Sequence, residues 1–239
     1  MDTVKFNKNK TLIVAHRGLS GIETENTNAA FIAAGNRSYY GIETDIYRTA
    51  DGNFVTIHDG DLNRIAGENI AVESTSLADL QNIILYDKDG TKSRADLRVP
   101  KLEDYISICK KYNKHSVLEL KSDFTEDEIK KIVSIIKSQG YLENVTFISF
   151  NYANLKRIRK ILPTQSVQYL FTQFTDEIIQ NITQDKMDVD VLFKALDKGI
   201  IDKLHEKGIK INCWTVDNAE IGEQLAKWGV DFITTNILE

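Results

Sequence analysis

Two cysteines, two prolines and no long apolar run set the first limits on this chain of 239 residues. Cys109 and Cys213 lie far apart and fit no metal-binding or redox spacing. That excludes a disulfide scaffold or a thiolate metal cluster and predicts two buried, reduced thiols. Pro100 and Pro163 sit where elements would end, and no low-complexity tract or linker accompanies them. The opening MDTVKFNKNK is polar and basic, and the apolar run Leu12 to Ala15 that follows is too short for a signal core or a membrane span. With no basic amphipathic helix to hold a lipid surface either, the expectation is a soluble, cytoplasmic protein without stable membrane insertion. Blocks of like charge are missing: 30 Lys plus Arg against 35 Asp plus Glu give a net charge of −5, evenly spread, which argues against nucleic acid as a partner. Gly18 and Gly21, after the first apolar run, are too sparse for a dinucleotide-binding loop.

What is present is a 42% hydrophobic composition, enough to bury one substantial core, so a single domain over residues 1–239 is expected. Eight β-rich runs recur, at 11–16, 40–47, 116–121, 145–150, 167–171, 189–193, 211–216 and 231–235. Helical patterns separate most of them, notably Glu126 to Ser138, Tyr152 to Ile161, Ile200 to Lys207 and Ala219 to Lys227. Strand alternating with helix implies a parallel sheet with helices outside, and eight strands over this length predict a closed (β/α)8 TIM barrel of the α/β class. Residues of about 53–100 break the rhythm: FVTIHDG reads as an extra strand and Lys88 to Arg98 as surface loop, a small insertion after strand two. The chain stops three or four residues after the last strand, so the last helix is expected to be truncated or missing.

A parallel barrel carries its site at the carboxyl ends of the strands, so polar residues late in apolar strands are the candidates. His16 and Arg17 end the first strand; Glu43 and Asp45 end the second; Glu119 and Lys121 end the third; His58 follows the extra strand. The two-residue spacing puts Glu43 with Asp45, and Glu119 with Lys121, on one face of each strand. Three carboxylates at one partly buried mouth repel one another and lose hydration, so a positive charge must sit among them. All-oxygen ligands suit one hard divalent cation, Mg²⁺ or Ca²⁺, with Mn²⁺ also compatible. The competing arrangement is an ion-pair network in which Arg17 and Lys121 alone neutralise the carboxylates. His16 and His58 suit acid/base work, since imidazole titrates near pH ~6.5. His115 and His205 are expected to be satisfied structural or surface residues. Arg17 offers a planar fork of donors and Lys121 a point charge, a pair suited to a phosphate group. Trp214 could form an apolar wall for a small organic group or simply pack, and Trp228 reads as packing.

The segments AHRG (15–18), ENTNAAF (25–31), GIETDIYRTADGNFVTIHD (41–59), LELK (118–121), SFNYANLKRIR (149–159) and CWTVD (213–217) resemble the glycerophosphodiester phosphodiesterase family. That family is similar in fold and site to the phosphatidylinositol-specific phospholipase C barrels. The resemblance implies metal ligands at Glu43, Asp45 and Glu119, general acid/base residues at His16 and His58, phosphate contacts from Arg17 and Lys121, and an aromatic wall from Trp214. It implies hydrolysis of a small-molecule glycerophosphodiester to sn-glycerol 3-phosphate and an alcohol. The alternatives are a non-catalytic glycerophosphodiester-binding barrel, or a lysophospholipase D or cyclising phosphodiesterase of the same superfamily. Thr24 and Asp217 depart from the proline and asparagine common in the family, and neither is expected to touch the chemistry.

Overall fold

Alternation of side chains along each strand sets the architecture. In the computed structural model, which describes residues 2–239, nine strands form: β1 (Leu12–Ala15), β2 (Gly41–Arg48), β3 (Phe54–Thr56), β4 (His115–Leu120), β5 (Val145–Ser149), β6 (Val167–Phe171), β7 (Asp188–Leu192), β8 (Ile211–Trp214) and β9 (Phe232–Thr235). Eight of them run parallel and close into a barrel, because β1 pairs with both β2 and β9. The residues facing outward, such as Ile13, Ile42, Leu118, Phe147, Val189, Ile211 and Ile233, join the main core beneath the helices. The alternate residues Val14, Val117, Ile148 and Leu170 form a thin apolar layer inside the barrel.

Helices α1 (Asn28–Gly35), α4 (Leu102–Tyr112), α5 (Glu126–Ser138), α6 (Tyr152–Ile161), α7 (Asp176–Gln184), α8 (Lys198–Glu206) and α9 (Ala219–Trp228) connect the barrel strands, while α2 (Asn63–Ala66) and α3 (Leu77–Asn82) lie in the insertion. α5 and α6 match their sequence periodicity in full. α5 starts at a capping box in which the Thr125 hydroxyl accepts from the Glu128 N–H and the Glu128 side chain accepts from the Thr125 N–H. α8 begins two residues earlier than its apolar pattern, because the Asp197 carboxylate caps it by accepting from the Ile200 N–H. α1 escapes a periodicity search because NAAFIAAG has no one-sided apolar stripe. Among the described residues no helix follows β9. The extended ends bond to each other instead, Glu239 N–H to Val4 O at 2.9 Å, and Leu238 and Phe6 pack onto Gly222 of α9. Among the described residues no helix is long and apolar enough to cross a membrane.

The insertion begins as a hairpin. β3 pairs antiparallel with the end of β2, Ile46 opposite Thr56 and Arg48 opposite Phe54, and so returns the chain to the barrel mouth. Beyond it α2 and α3 are held by a separate apolar cluster that includes Val55, Ile57, Leu62, Ile65, Val72 and Leu80. The stretch 88–98 contains neither helix nor strand.

Candidate active site

Register brings the acidic residues together. β2 and β4 pair with Asp45 opposite Glu119, and Glu43 lies one pleat below Asp45 on the same face. One oxygen from each of the three carboxylates lies within 4.8 Å of the others, and all three residues are buried. β1 and β4 end one residue short of the sequence expectation, at Ala15 and Leu120, so His16, Arg17 and Lys121 are the first residues of their loops. Arg17 and Gly18 both take positive φ, 54° and 76°. This left-handed turn aims the Arg17 N–H at Glu43 Oε2, 2.8 Å away. Gly18 is required there twice over, since a Cβ would also lie 2.6 Å from the Ala30 carbonyl carbon. The β2–β3 hairpin delivers His58 to the same mouth.

These side chains line one cavity of about 370 Å³, part of it open to solvent. His16, Arg17, Glu43, His58, Glu119 and Lys121 form one part of its lining; Ile148, Phe150, Leu170 and Trp214, with Asp190 and Thr234, form the other. Every sequence-predicted site residue is therefore at or around this mouth, Asp45 lying within the acidic cluster. His115 and His205 are elsewhere: His115 Nε2 pairs with Thr146 Oγ1 at 2.8 Å, and His205 Nε2 with Asp231 Oδ2 at 2.9 Å. Cys109 and Cys213 are free and buried.

Charge is unevenly balanced. Lys121 Nζ is 3.1 Å from Glu119 Oε1 and 3.4 Å from Asp45 Oδ1, and Arg17 Nε is 3.6 Å from Asp45 Oδ2. Despite its burial, Asp45 is held below the usual carboxylate range by Lys121 and Arg17. Burial, together with the neighbouring carboxylates, pushes Glu43 well above that range and Glu119 up to about 8. Two cations thus serve one carboxylate fully and leave two short of positive charge. Asp45 Oδ1 is buried and accepts no hydrogen bond.

Several residues around the site were not among the candidates that strand-end position singled out. His16 Nδ1 bonds Asn236 Oδ1 at 2.8 Å; that amide is oriented in turn by Asp217, whose carboxylate accepts from Asn236 Nδ2 at 2.6 Å and from its N–H at 2.8 Å. Asp217, expected to be remote from the chemistry, is therefore two steps from a candidate acid/base residue. Asp217 and Asn236 are 19 residues apart and His16 and Asn236 are 220 apart, separations that only the closed barrel bridges. Thr24, the other departure, bonds the Tyr86 carbonyl at 2.8 Å and stays structural. Asn26 Nδ2 donates to Asp45 Oδ2 at 2.9 Å. His58 Nδ1 faces Asp59 Oδ1 at 2.7 Å. Asp190 is 2% exposed and its Oδ1 lacks any partner, so a buried carboxyl stands in the mostly apolar wall.

The profile of the Glycerophosphoryl diester phosphodiesterase family matches residues 16–239. A glycerophosphodiester phosphodiesterase from Caldanaerobacter subterraneus is 28% identical over 230 residues, covering 95% of this chain and 94% of its own. A crystal structure of a glycerophosphodiester phosphodiesterase from Parabacteroides distasonis is 27% identical and superposes with a TM-score of 0.80, covering 95% of this chain and 93% of that one. An Oleispira antarctica phosphodiesterase, solved in complex with its product sn-glycerol-3-phosphate, is 22% identical and shares the fold with a TM-score of 0.87 over 98% of this chain and 96% of that one.

Proposed function

Because the chain belongs to the glycerophosphoryl diester phosphodiesterase family, we propose that it hydrolyses water-soluble glycerophosphodiesters to sn-glycerol 3-phosphate and an alcohol, using one divalent metal ion and two histidines. The observation that carries this is the convergence, at one barrel mouth, of three buried carboxylates, two of them short of positive charge, with two histidines and two cations.

The donor set fits a hard cation. Glu43, Asp45 and Glu119 offer only oxygens, within reach of a common centre, and Asp45 Oδ1 is a buried acceptor with no hydrogen bond. An ion-pair network alone is the poorer account, since burial and the neighbouring carboxylates push Glu43 and Glu119 towards holding protons even with Lys121 and Arg17 beside them. When bound by these three residues, Mg²⁺, Ca²⁺ or Mn²⁺ supplies electrophilic stabilisation of charge on a phosphate oxygen.

The remaining work falls to the chain's own groups. Arg17 and Lys121 hold the phosphate and oppose the charge that grows on it. The Asn236 carbonyl oxygen must accept from His16, because its amide nitrogen is committed to Asp217; His16 therefore carries its proton on Nδ1 and offers Nε2 as an acceptor. Burial and the nearby Arg17 lower its pKa to about 4, which keeps the ring neutral; with Nε2 open, it takes the base role towards the attacking hydroxyl or water. The Asp59 carboxylate behind His58 Nδ1 orients the other ring, which protonates the leaving alcohol. Trp214, with Phe150 packed edge-on at 5.7 Å between ring centroids, forms the wall against the carbon skeleton.

Incubation with glycerophosphocholine, glycerophosphoethanolamine, glycerophosphoglycerol and glycerophosphoinositol, followed by phosphorus NMR with each metal, tests the proposal. Appearance of sn-glycerol 3-phosphate from at least one diester is expected. A cyclic glycerophosphate appearing first would identify attack by the adjacent hydroxyl, and accumulation of that cyclic ester as the end product would make the chain a lyase. Four unchanged diesters in every metal would overturn the proposal.

A further inference from the structure

Arg64 is the one residue of the insertion helix α2 whose side chain reaches across to both halves of the site. Its Nε donates to Asp59 Oδ2 at 2.7 Å, while its two terminal nitrogens donate to Glu25 Oε2 at 2.9 Å and Oε1 at 2.8 Å. Asp59 spends its other oxygen on His58 Nδ1, and Glu25 Oε1 also accepts from Arg17 at 2.8 Å. An unbroken chain of charged contacts thus runs from His58 through Asp59, Arg64 and Glu25 to Arg17. Its two ends are the ring assigned to proton transfer and the guanidinium assigned to phosphate.

We infer that Arg64 is a positioning residue for this reaction, fixing the His58–Asp59 pair against the phosphate-holding side of the cavity; the inference rests on the proposed function of the same site. Three features support it. The contact to Glu25 is bidentate and that to Asp59 comes from a third nitrogen in the same plane, a geometry only a guanidinium can supply. Isolated surface ion pairs contribute little to stability, and Arg64 is about half exposed, so folding alone does not account for a fork that spends three donors on two carboxylates of the site. The separate apolar cluster of the insertion includes Leu62, Ile65 and Ala66, the neighbours of Arg64 in sequence, and so anchors the backbone from which the fork projects.

The two ends differ in their dependence on it. Arg17 keeps contacts to Glu25 and Asp45 without Arg64, whereas Asp59, among the described residues, has no side-chain partner other than Arg64 and the His58 ring it must orient. Loss of Arg64 should therefore act through His58. A misplacement of an acid/base group by about 1 Å can cost up to ~10²-fold in rate, so Arg64→Gln should lower kcat on a glycerophosphodiester by about 10- to 100-fold, with a smaller change in KM.

The test compares wild type, Arg64→Gln, Arg64→Lys, Asp59→Asn and the double variant Arg64→Gln/Asp59→Asn, with thermal unfolding to establish that each is folded. Expected are the fall in kcat for Arg64→Gln, little recovery with Arg64→Lys, which keeps the charge but loses the fork, and less than about twofold further loss when Arg64→Gln is added to Asp59→Asn. Wild-type kcat in Arg64→Gln, full recovery with Arg64→Lys, or an undiminished effect in the Asp59→Asn background would each overturn the inference while leaving the proposed function standing. No turnover by the wild-type chain with metal would overturn the functional proposal and this inference with it.

Discussion

His16 and His58 stand apart in what lies behind each ring: a neutral amide for one, a carboxylate for the other. Replacing either by Ala should lower kcat by about 10²-fold or more with little change in metal affinity, which steady-state kinetics alongside calorimetric metal titration would check. Wild-type turnover in both variants would remove the acid/base assignment. His115 provides a contrast far from the acidic cluster. Burial lowers its pKa to about 4, against about 6.5 in an unfolded chain. Between those values the unfolded state binds more protons, so stability is full above pH ~6.5 and falls as the pH drops towards 4, by about 2 kcal/mol at pH 5. Urea unfolding at pH 7 and pH 5 should show His115→Gln losing less stability than wild type over that interval. At this scale the sequence was most legible where a residue sits late in an apolar strand, as with Glu43, Asp45 and Glu119. It was opaque for Asn236, Asp217 and Arg64, ordinary polar residues whose roles come from partners that only the fold brings near. Asp217 shows the difference best: it looked like a neutral departure from a motif, yet its carboxylate orients the amide that fixes His16.

Elements were legible in proportion to how one-sided their burial is. α5 and α6 carry clear apolar stripes and were read to the residue. α1, apolar on every side, and the short α2 and α3 gave no stripe to read. Strand ends shifted by a residue or two, which moved His16 and Arg17 from a strand into the turn that β1 feeds. That turn matters, because its positive φ values give Glu43 a backbone donor that an extended strand would not. The helices in turn act as supports. Thr125→Ala breaks the capping box of α5 and should cost about 1 kcal/mol of stability, seen as a lower Tm, with kcat unchanged at 25 °C. A loss of activity matching the loss of stability in the folded protein would show that α5 does more than brace the barrel.

For the molecule as a whole, alternation of strand and helix was enough to predict the closed barrel, and strand-end chemistry enough to predict which side chains gather at one mouth of it. Closure explains why: side chains from β2 and β4, together with the loops after β1, β3 and β4, share one mouth although they span residues 16 to 121. What sequence spacing could not convey is how the charges balance there, with Asp45 well paired and Glu43 and Glu119 left short. The most direct test of a cation-dependent diesterase is therefore release of sn-glycerol 3-phosphate from a glycerophosphodiester, measured by a coupled assay with and without EDTA. Release that stops in EDTA, returns with Mg²⁺ or Ca²⁺, and is lost in Glu43→Gln and Glu119→Gln is the predicted result. Release that continues undiminished in EDTA after exhaustive dialysis would contradict it.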